Sequence, residues 1–274
     1  MKEHIRYLIA EAKTVPEASL LVREYLQARI LEALQRAGAF EQWAFLGGTA
    51  LRFLYRLPRF SEDLDFSRTT PSAPGESMRT EFDSYVTKVK RAFESEAYDV
   101  DVRSRPDAVV QSAFVGFPAL LYELGLSSQP GQKITIKIEI DSNPPAHAST
   151  ETSLVRRHVL LNLLHYDKPS LLSGKLHALI HRSHVKGRDV YDLVWYLSDP
   201  SWPEPNLPLL QASLAQTGME LTDRQVSAWR TLVTDRIAAM EWDRVVADVS
   251  PFLERTEDLA FLTKENVLSL LQPR

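Results

Sequence analysis

The chain has 274 residues, of which 44% are apolar, so it is long enough for one large domain or two small domains with a hydrophobic core. Its formal net charge of −4 does not indicate a nucleic-acid-binding protein as a whole, although clustered arginines and lysines can still form a local basic surface. The lack of cysteine excludes disulfides, thiolate metal sites and a cysteine nucleophile, and without a signal peptide or a run of about 18 apolar residues we expect a cytoplasmic protein with no membrane partner.

The first predicted elements are helices over residues 2–13 and 16–37. Thr14 and Glu17 have the spacing of a capping box, and Gly38 stands where a helix commonly ends. Because leucine and isoleucine recur at helical spacing in the second segment, we interpret it as scaffold.

The next segment combines a predicted strand, residues 43–46, with the glycine pair Gly47-Gly48 and Thr49, which open a helix. A strand that runs through a glycine turn into a helix presents backbone N–H groups that can hold phosphate. We therefore predict that Gly47, Gly48, Thr49 and the later Ser61 bind a nucleotide. The alternative is an ordinary helix N-terminus followed by a solvated acidic turn.

The sequence Ser61-Glu-Asp-Leu-Asp-Phe66 follows this helix. If Asp63 to Phe66 form a strand, Asp63 and Asp65 lie on one face, because side chains alternate along a strand. Two adjacent carboxylates favour a divalent cation between them. We predict two Mg²⁺ ions, about 3.5–4 Å apart, with an NTP as substrate.

Arg52, Arg56 and Arg59 recur at steps of four and three. On a helix they would form one stripe, which suits either contact with nucleic-acid phosphates or a plain solvated face. The sequence does not distinguish these two interpretations.

Further elements follow in the middle of the chain. We predict a helix over residues 76–97 and strands over 98–105, 112–118 and 133–141, with strand-like patches at 154–155 and 159–164. The 133–141 segment alternates four isoleucines with polar residues. Its polar face either lines an active site or belongs to a wet edge strand, and Lys137 on that face is a candidate for binding nucleotide.

Helical spacing returns after residue 167. Lys175 lies on the first predicted helix, and Arg188, Asp189 and Asp192 lie on the second. Lys175 suits a triphosphate and Asp189 suits a base or an orienter of Lys175, whereas Arg188 and Asp192 are expected to tie the two helices together. After a proline-rich linker at 200–208, helices are predicted over 207–216, 223–240, 242–253 and 264–271. His177, His181 and His184 share a helix face, for which metal binding is the minor interpretation.

The glycine pair, the Asp-x-Asp-Phe, Lys175 and the Arg-Asp-x-x-Asp-Leu segment together resemble the AbiEii/AbiGii toxin family, the MenT-like nucleotidyltransferases of type IV toxin–antitoxin systems, within the polymerase-β-like superfamily. The resemblance reaches from about Trp43 to Leu197. It implies an α+β fold with a mixed sheet flanked by helices and a C-terminal helical lobe. The expected domains are a transferase core over 1–166 and a lobe over 167–274 that contributes Lys175 and Asp189 to the active site. The resemblance also implies a third metal-binding carboxylate on a neighbouring strand, for which Glu139 is the first candidate and Asp141 the second.

The implied activity is transfer of NMP from an NTP to an RNA acceptor, the 3′ end of tRNA, which would inhibit translation and growth. Expected partners are the NTP, the tRNA and a cognate AbiEi-like antitoxin. Three alternatives remain at this point: nucleotidylation of a protein side chain, a catalytically inactive transferase fold that serves as a binding module, and a sugar transferase. No Walker A or Gly-x-Ser-x-Gly pattern is present, which excludes P-loop and α/β-hydrolase interpretations.

Overall fold

The computed structural model describes residues 2–71, 78–105, 110–184 and 186–272. The chain forms two compact units. The first unit consists of Met1–Leu54, Phe60–Pro144 and Thr152–His165. The second consists of Tyr55–Arg59, Pro145–Glu151 and Tyr166–Arg274.

A mixed β-sheet lies at the centre of the first unit. Its strands within the described residues are β1 Trp43–Leu46, β2 Leu64–Arg68, β3 Asp101–Arg105, β4 Val110–Phe117, β5 Ile134–Asp141, β6 Thr150–Arg157 and β7 Val159–Tyr166. Their order is β3-β4-β5-β2-β1-β7-β6. β2 is antiparallel to β1 and parallel to β5. This mixed sheet with flanking helices confirms the predicted α+β fold class.

Strand β5 is an interior strand of the sheet, between β4 and β2. Its isoleucines are buried and its polar residues are half-exposed, in strict alternation. The predicted strand is therefore confirmed, whereas the alternative of an edge strand is wrong. Because β5 is paired on both sides, its polar side chains stand on one face of the sheet rather than at its rim.

Helices of the first unit begin and end close to the predicted residues. They are α1 Lys2–Ile9, α2 Val15–Arg36, α3 Gly47–Tyr55, α4 Arg79–Ser95 and the short α5 Leu120–Glu123. Thr14 caps α2 by accepting from the Glu17 backbone N–H, and Gly38 follows the helix with a φ of +89°. The predicted aromatic stripe of α4 is core packing, with Phe82 and Phe93 buried. Positions 76 and 77 of that prediction lie outside the described residues.

The second unit is helical over most of its length. Its helices are α6 Lys168–His181, α7 Gly187–Ser198, α8 Leu207–Gln216, α9 Asp223–Ser227, α10 Trp229–Ala238, α11 Trp242–Val249 and α12 Lys264–Leu270. The helix predicted over 223–240 is interrupted at Ala228, between α9 and α10. The helix predicted over 242–253 becomes a 3₁₀ turn at Ser250–Phe252, since Pro251 supplies no N–H for a further α-helical turn. Among the described residues, no helix has both the length and the apolar character required to span a membrane.

Candidate active site

The glycine turn between β1 and α3 is shaped around Asp65. Gly47 has a φ of +82°, a conformation that favours glycine. A Cβ atom at this position would overlap with the carboxylate oxygen Oδ2 of Asp65. The first glycine of the motif is therefore required both by the backbone conformation and by the close approach of an acidic side chain.

The two predicted metal ligands lie at the beginning of β2. Asp63 comes immediately before the strand, and Asp65 is its second residue, half-exposed between buried Leu64 and buried Phe66. Asp65 is paired with Leu46 of β1 on one side and with Glu139 of β5 on the other. Since neighbouring strands are about 4.8 Å apart, the fold brings Asp65 and Glu139 side by side.

Glu139 forms an ion pair on its own strand. Its Oε1 lies 2.6 Å from Nζ of Lys137, and both side chains are about one-quarter exposed. Asp141, the second candidate for the third carboxylate, lies at the end of β5 opposite Ser67. Burial raises the pKa of Asp141, opposed by a hydrogen bond from the Asn143 backbone N–H. Because Glu139 is paired with Asp65 and Asp141 is paired with Ser67, Glu139 lies nearer to Asp65 than Asp141 does.

Thr49 and Ser61, predicted to bind nucleotide, have internal partners. The Thr49 side chain is fully buried, and its hydroxyl donates to the backbone carbonyl of Asp63. The backbone carbonyl of half-exposed Ser61 accepts from Nε2 of Gln27, at 3.1 Å. Gln27 and Arg23 lie on α2, a helix that the sequence pattern indicated only as scaffold. No motif distinguishes them, because their partners are more than thirty residues away along the chain.

The acidic residues suit a hard cation. Carboxylate oxygens are the ligands that Mg²⁺ prefers. Asp65 and Glu139 supply them from opposite positions of two paired strands, and Asp63 lies immediately before β2. Within the described part of the chain, no three His, Cys, Asp or Glu side chains are gathered as a formed metal centre. To bind a metal ion, the Glu139 carboxylate would have to give up its ion pair with Lys137.

The predicted arginine stripe is wrong for Arg52 and Arg59, which are buried, whereas Arg56 is exposed, as a solvated face requires. Helix α3 ends at Tyr55, and Arg56 is exposed with a φ of +61°. Arg52 is buried in the first unit, where it pairs with Glu24 and lies over the Phe60 ring. Arg59 is buried in the second unit. The periodicity was misleading because the helix ends at Tyr55, before Arg56 and Arg59.

Lys175 lies within a compact charge cluster of the second unit. Its Nζ is 2.6 Å from Oδ2 of Asp192 and 3.0 Å from Oδ1 of Asp189. Arg59 donates two hydrogen bonds of 2.6 Å to the Asp192 carboxylate, and Arg182 donates one of 2.7 Å to the Asp189 carboxylate. Three cations thus surround two carboxylates, leaving one net positive charge. We refer to these five residues as the Lys175 cluster.

Electrostatics hold the cluster in its charged form. Burial alone would lower the pKa of Lys175, but Asp192 and Asp189 outweigh it and raise that pKa. Burial alone would raise the pKa of Asp192, but Arg59 and Lys175 lower it. Lys175 is therefore an ammonium ion at neutral pH, suited to attract an anion and unsuited to act as a base.

Asp192 ties α7 to α6 as expected, through its 2.6 Å ion pair with Lys175, whereas Arg188 does not take part in this tie. The Arg188 guanidinium lies over the Phe252 ring and 3.9 Å from Asp248, whose carboxylate also accepts from the Arg188 backbone N–H. Asp192 pairs with Arg59 as well as with Lys175. A buried Arg–Asp pair exists, but its arginine comes from a segment more than 130 residues earlier, which local spacing does not reveal.

The three histidines do not converge. The rings of His177 and His181 stack with centroids 5.4 Å apart, while His184 lies beside Ser183. Burial, together with His181 and Arg182, lowers the pKa of His177 to about 4. His177 is also hydrogen-bonded to Thr217 at 3.1 Å.

Two solved structures resemble this fold. JHP933 from Helicobacter pylori is 19% identical, with a TM-score of 0.51 over 92% of this chain and 88% of that chain. A second H. pylori protein, a proposed nucleotidyltransferase, is also 19% identical, with a TM-score of 0.50 over 92% of this chain and 90% of that one. At this identity the likeness concerns the fold alone. A comparison with curated proteins yields no match.

The family model described as "Nucleotidyl transferase AbiEii toxin, Type IV TA system" matches residues 29–264. This range contains the glycine turn, the acidic residues of β2 and β5, and the Lys175 cluster. It also spans most of both units. The chain therefore belongs to the AbiEii family of nucleotidyltransferase toxins of type IV toxin–antitoxin systems.

Proposed function

We propose that this protein is a Mg²⁺-dependent toxin that transfers NMP from an NTP to the 3′ end of a tRNA. The observation that carries the proposal is the arrangement around Asp65, whose carboxylate lies against Gly47 and whose strand neighbour is Glu139. The proposal is supported by a glycine turn and a group of carboxylates that lie together in one unit. A cognate antitoxin is the expected partner. Because its NTP and tRNA substrates are cytoplasmic, we propose that the protein acts in the cytoplasm.

In this reaction the acceptor hydroxyl oxygen forms a bond to the α-phosphorus, and the bond from that phosphorus to the β-phosphate oxygen breaks. Pyrophosphate leaves, and the proton of the acceptor hydroxyl passes to water. Asp63, Asp65 and Glu139 are proposed to hold the two Mg²⁺ ions, which would lower the pKa of the attacking hydroxyl and stabilise negative charge on the leaving group. Backbone N–H groups at Gly47 and Gly48 are proposed to bind the phosphates.

Lys175 and Asp189 are proposed to serve the same reaction, because the family match includes both residues. The ammonium group of Lys175 stabilises negative charge that develops on the phosphates. Asp189 orients Lys175 through their 3.0 Å hydrogen bond, rather than acting as a base. Replacement of Lys175 by Met should therefore lower the rate of nucleotide transfer. The acceptor that receives the nucleotide should stay the same.

A transfer assay with labelled ATP, GTP, CTP and UTP, Mg²⁺, total tRNA and a cell lysate tests the proposal. We expect label on tRNA with the wild-type protein. Label on polypeptide would favour a protein acceptor instead, and no label with any NTP would favour a binding module.

Asp65→Asn is the decisive variant in this assay. We expect it to abolish transfer and to change the free energy of unfolding by less than about 1 kcal/mol, because the replacement is isosteric and removes a charge from an acidic cluster. Asp101→Asn on β3, whose carboxylate pairs with exposed Lys133, is the matched control and should retain transfer. Full activity of Asp65→Asn would refute the assignment of the metal site.

A further inference from the structure

The segment 61–63 carries the first aspartate into the sheet without strand pairing of its own. Pairing of β2 with β5 begins at Leu64, and pairing with β1 extends only to Asp65. Buried or half-buried carbonyl groups outside a ladder require other hydrogen-bond partners. The position of Asp63 therefore depends on side chains that contact this segment.

Helix α3 supplies one such partner. The Thr49 hydroxyl donates to the Asp63 backbone carbonyl, although the two residues are fourteen positions apart. Thr49 is completely buried, with no exposed surface. The Thr49 hydroxyl therefore restrains the backbone of Asp63.

Helix α2 supplies further partners. The buried amide of Gln27 donates to the Ser61 carbonyl at 3.1 Å. Arg23 donates to the Thr135 carbonyl of β5 at 2.6 Å, and its positive charge is attracted by Glu62 and Asp63. Two helices thus hold the short segment from both ends, at Ser61 and at Asp63.

We propose that Thr49 is a positioning residue for Asp63, assisted by Gln27, and that its hydroxyl does not bind the triphosphate. The glycines of the turn present backbone N–H groups, whereas the threonine that follows them faces inward and fixes the acidic segment. The inference rests on the proposed function in that Asp63 is taken as a metal ligand. The glycines would then bind phosphate, and Thr49 would position Asp63, in the same reaction.

Three variants of Thr49 test this role. Thr49→Val replaces the hydroxyl by a methyl group, and Thr49→Ser retains the hydroxyl. Thr49→Ala also removes the hydroxyl and serves if the Thr49→Val protein does not fold. We expect Val and Ala to lower kcat by about 10- to 100-fold with KM for the NTP unchanged, because small displacements of a reacting group cost that much. Thr49→Ser should retain most of the wild-type kcat.

Two further measurements do not depend on transfer. Without nucleotide, Mn²⁺ binding followed by electron paramagnetic resonance should weaken in Thr49→Val and persist in Thr49→Ser. Amide hydrogen exchange of a peptide that includes residues 61–66 should become faster in Thr49→Val and remain slow in Thr49→Ser.

A raised KM for the NTP in Thr49→Val, with kcat, Mn²⁺ binding and hydrogen exchange unchanged, would overturn the inference, because that pattern describes a hydroxyl that contacts the triphosphate. Unchanged kinetics in Thr49→Val would overturn it as well. If the wild-type protein transfers no nucleotide, the proposed function fails, and the exchange and Mn²⁺ measurements still decide whether Thr49 positions Asp63.

Discussion

At the scale of single residues, the proposed active site is built on close contacts around the acidic segment. Gly47 lacks a side chain where the Asp65 carboxylate lies, and Thr49 is enclosed where it meets the Asp63 carbonyl. Both residues belong to the same turn and both act on the acidic segment. The turn is therefore a support for the acids as well as a candidate binding site for phosphate.

Gly47→Ala tests this support. The variant places a Cβ at a φ of +82° and against Asp65, so we expect loss of transfer together with a destabilisation of at least about 1 kcal/mol. Gly125→Ala is the matched control, since Gly125 has a φ of +73° and an added Cβ there would meet no atom within 4 Å. The control should lose a similar free energy from backbone strain and retain transfer. Equal activity of the two variants would contradict our account of the turn.

At the scale of secondary-structure elements, buried ion pairs join segments that are distant in sequence. In the second unit, residues 55–59 lie against the C-terminal part of the chain, where the Glu254 backbone N–H donates to the Pro58 carbonyl. The same segment supplies Arg59 to Asp192 of α7, and α6 supplies Lys175. The Lys175 cluster therefore ties three elements of this unit together.

Asp192→Asn should destabilise the protein strongly. It leaves the Arg59 and Lys175 cations buried with one carboxylate fewer, and breaking a buried pair typically costs about 3–5 kcal/mol. Asp248→Asn is the control, since Asp248 is 38% exposed and lies 3.9 Å from Arg188. This control should cost less than about 1 kcal/mol. Urea unfolding measures both, and similar losses would show that Arg59 and Lys175 do not depend on Asp192.

At the scale of the whole molecule, stability in acid is expected to depend on Glu24 of the first unit. This buried carboxylate accepts hydrogen bonds from Arg157 and lies 3.1 Å from His158, and it also pairs with Arg52. Burial alone would raise the pKa of Glu24, but His158, Arg52 and Arg157 outweigh it and lower the pKa to about 2. One side chain thus joins α2, α3 and the β6–β7 turn.

Stability should fall as the pH falls from about 4.5 to about 2. The unfolded chain, with the ordinary glutamate pKa of 4.5, binds more protons than the folded protein in this window. The loss attributable to Glu24 is about 3 kcal/mol, since one pKa unit corresponds to about 1.4 kcal/mol. Chemical unfolding between pH 2 and pH 5 should show a flatter dependence in Glu24→Gln than in the wild type, while exposed Glu94→Gln serves as the substitution control. An unchanged slope in Glu24→Gln would contradict the assignment.

The sequence by itself determined the fold class, most of the helices and strands, and the motifs that identify the family. These features depend on local rules: alternation in β5, the cap at Thr14, and the glycine turn followed by Asp63 and Asp65. Only the tertiary structure decided the partners of Arg52, Arg59, Thr49 and Asp192, and the grouping of residues 55–59 with the second unit. The physical reason is that periodicity reports which face of an element is buried, whereas the partner of a buried charge or hydroxyl depends on packing between segments far apart in the chain.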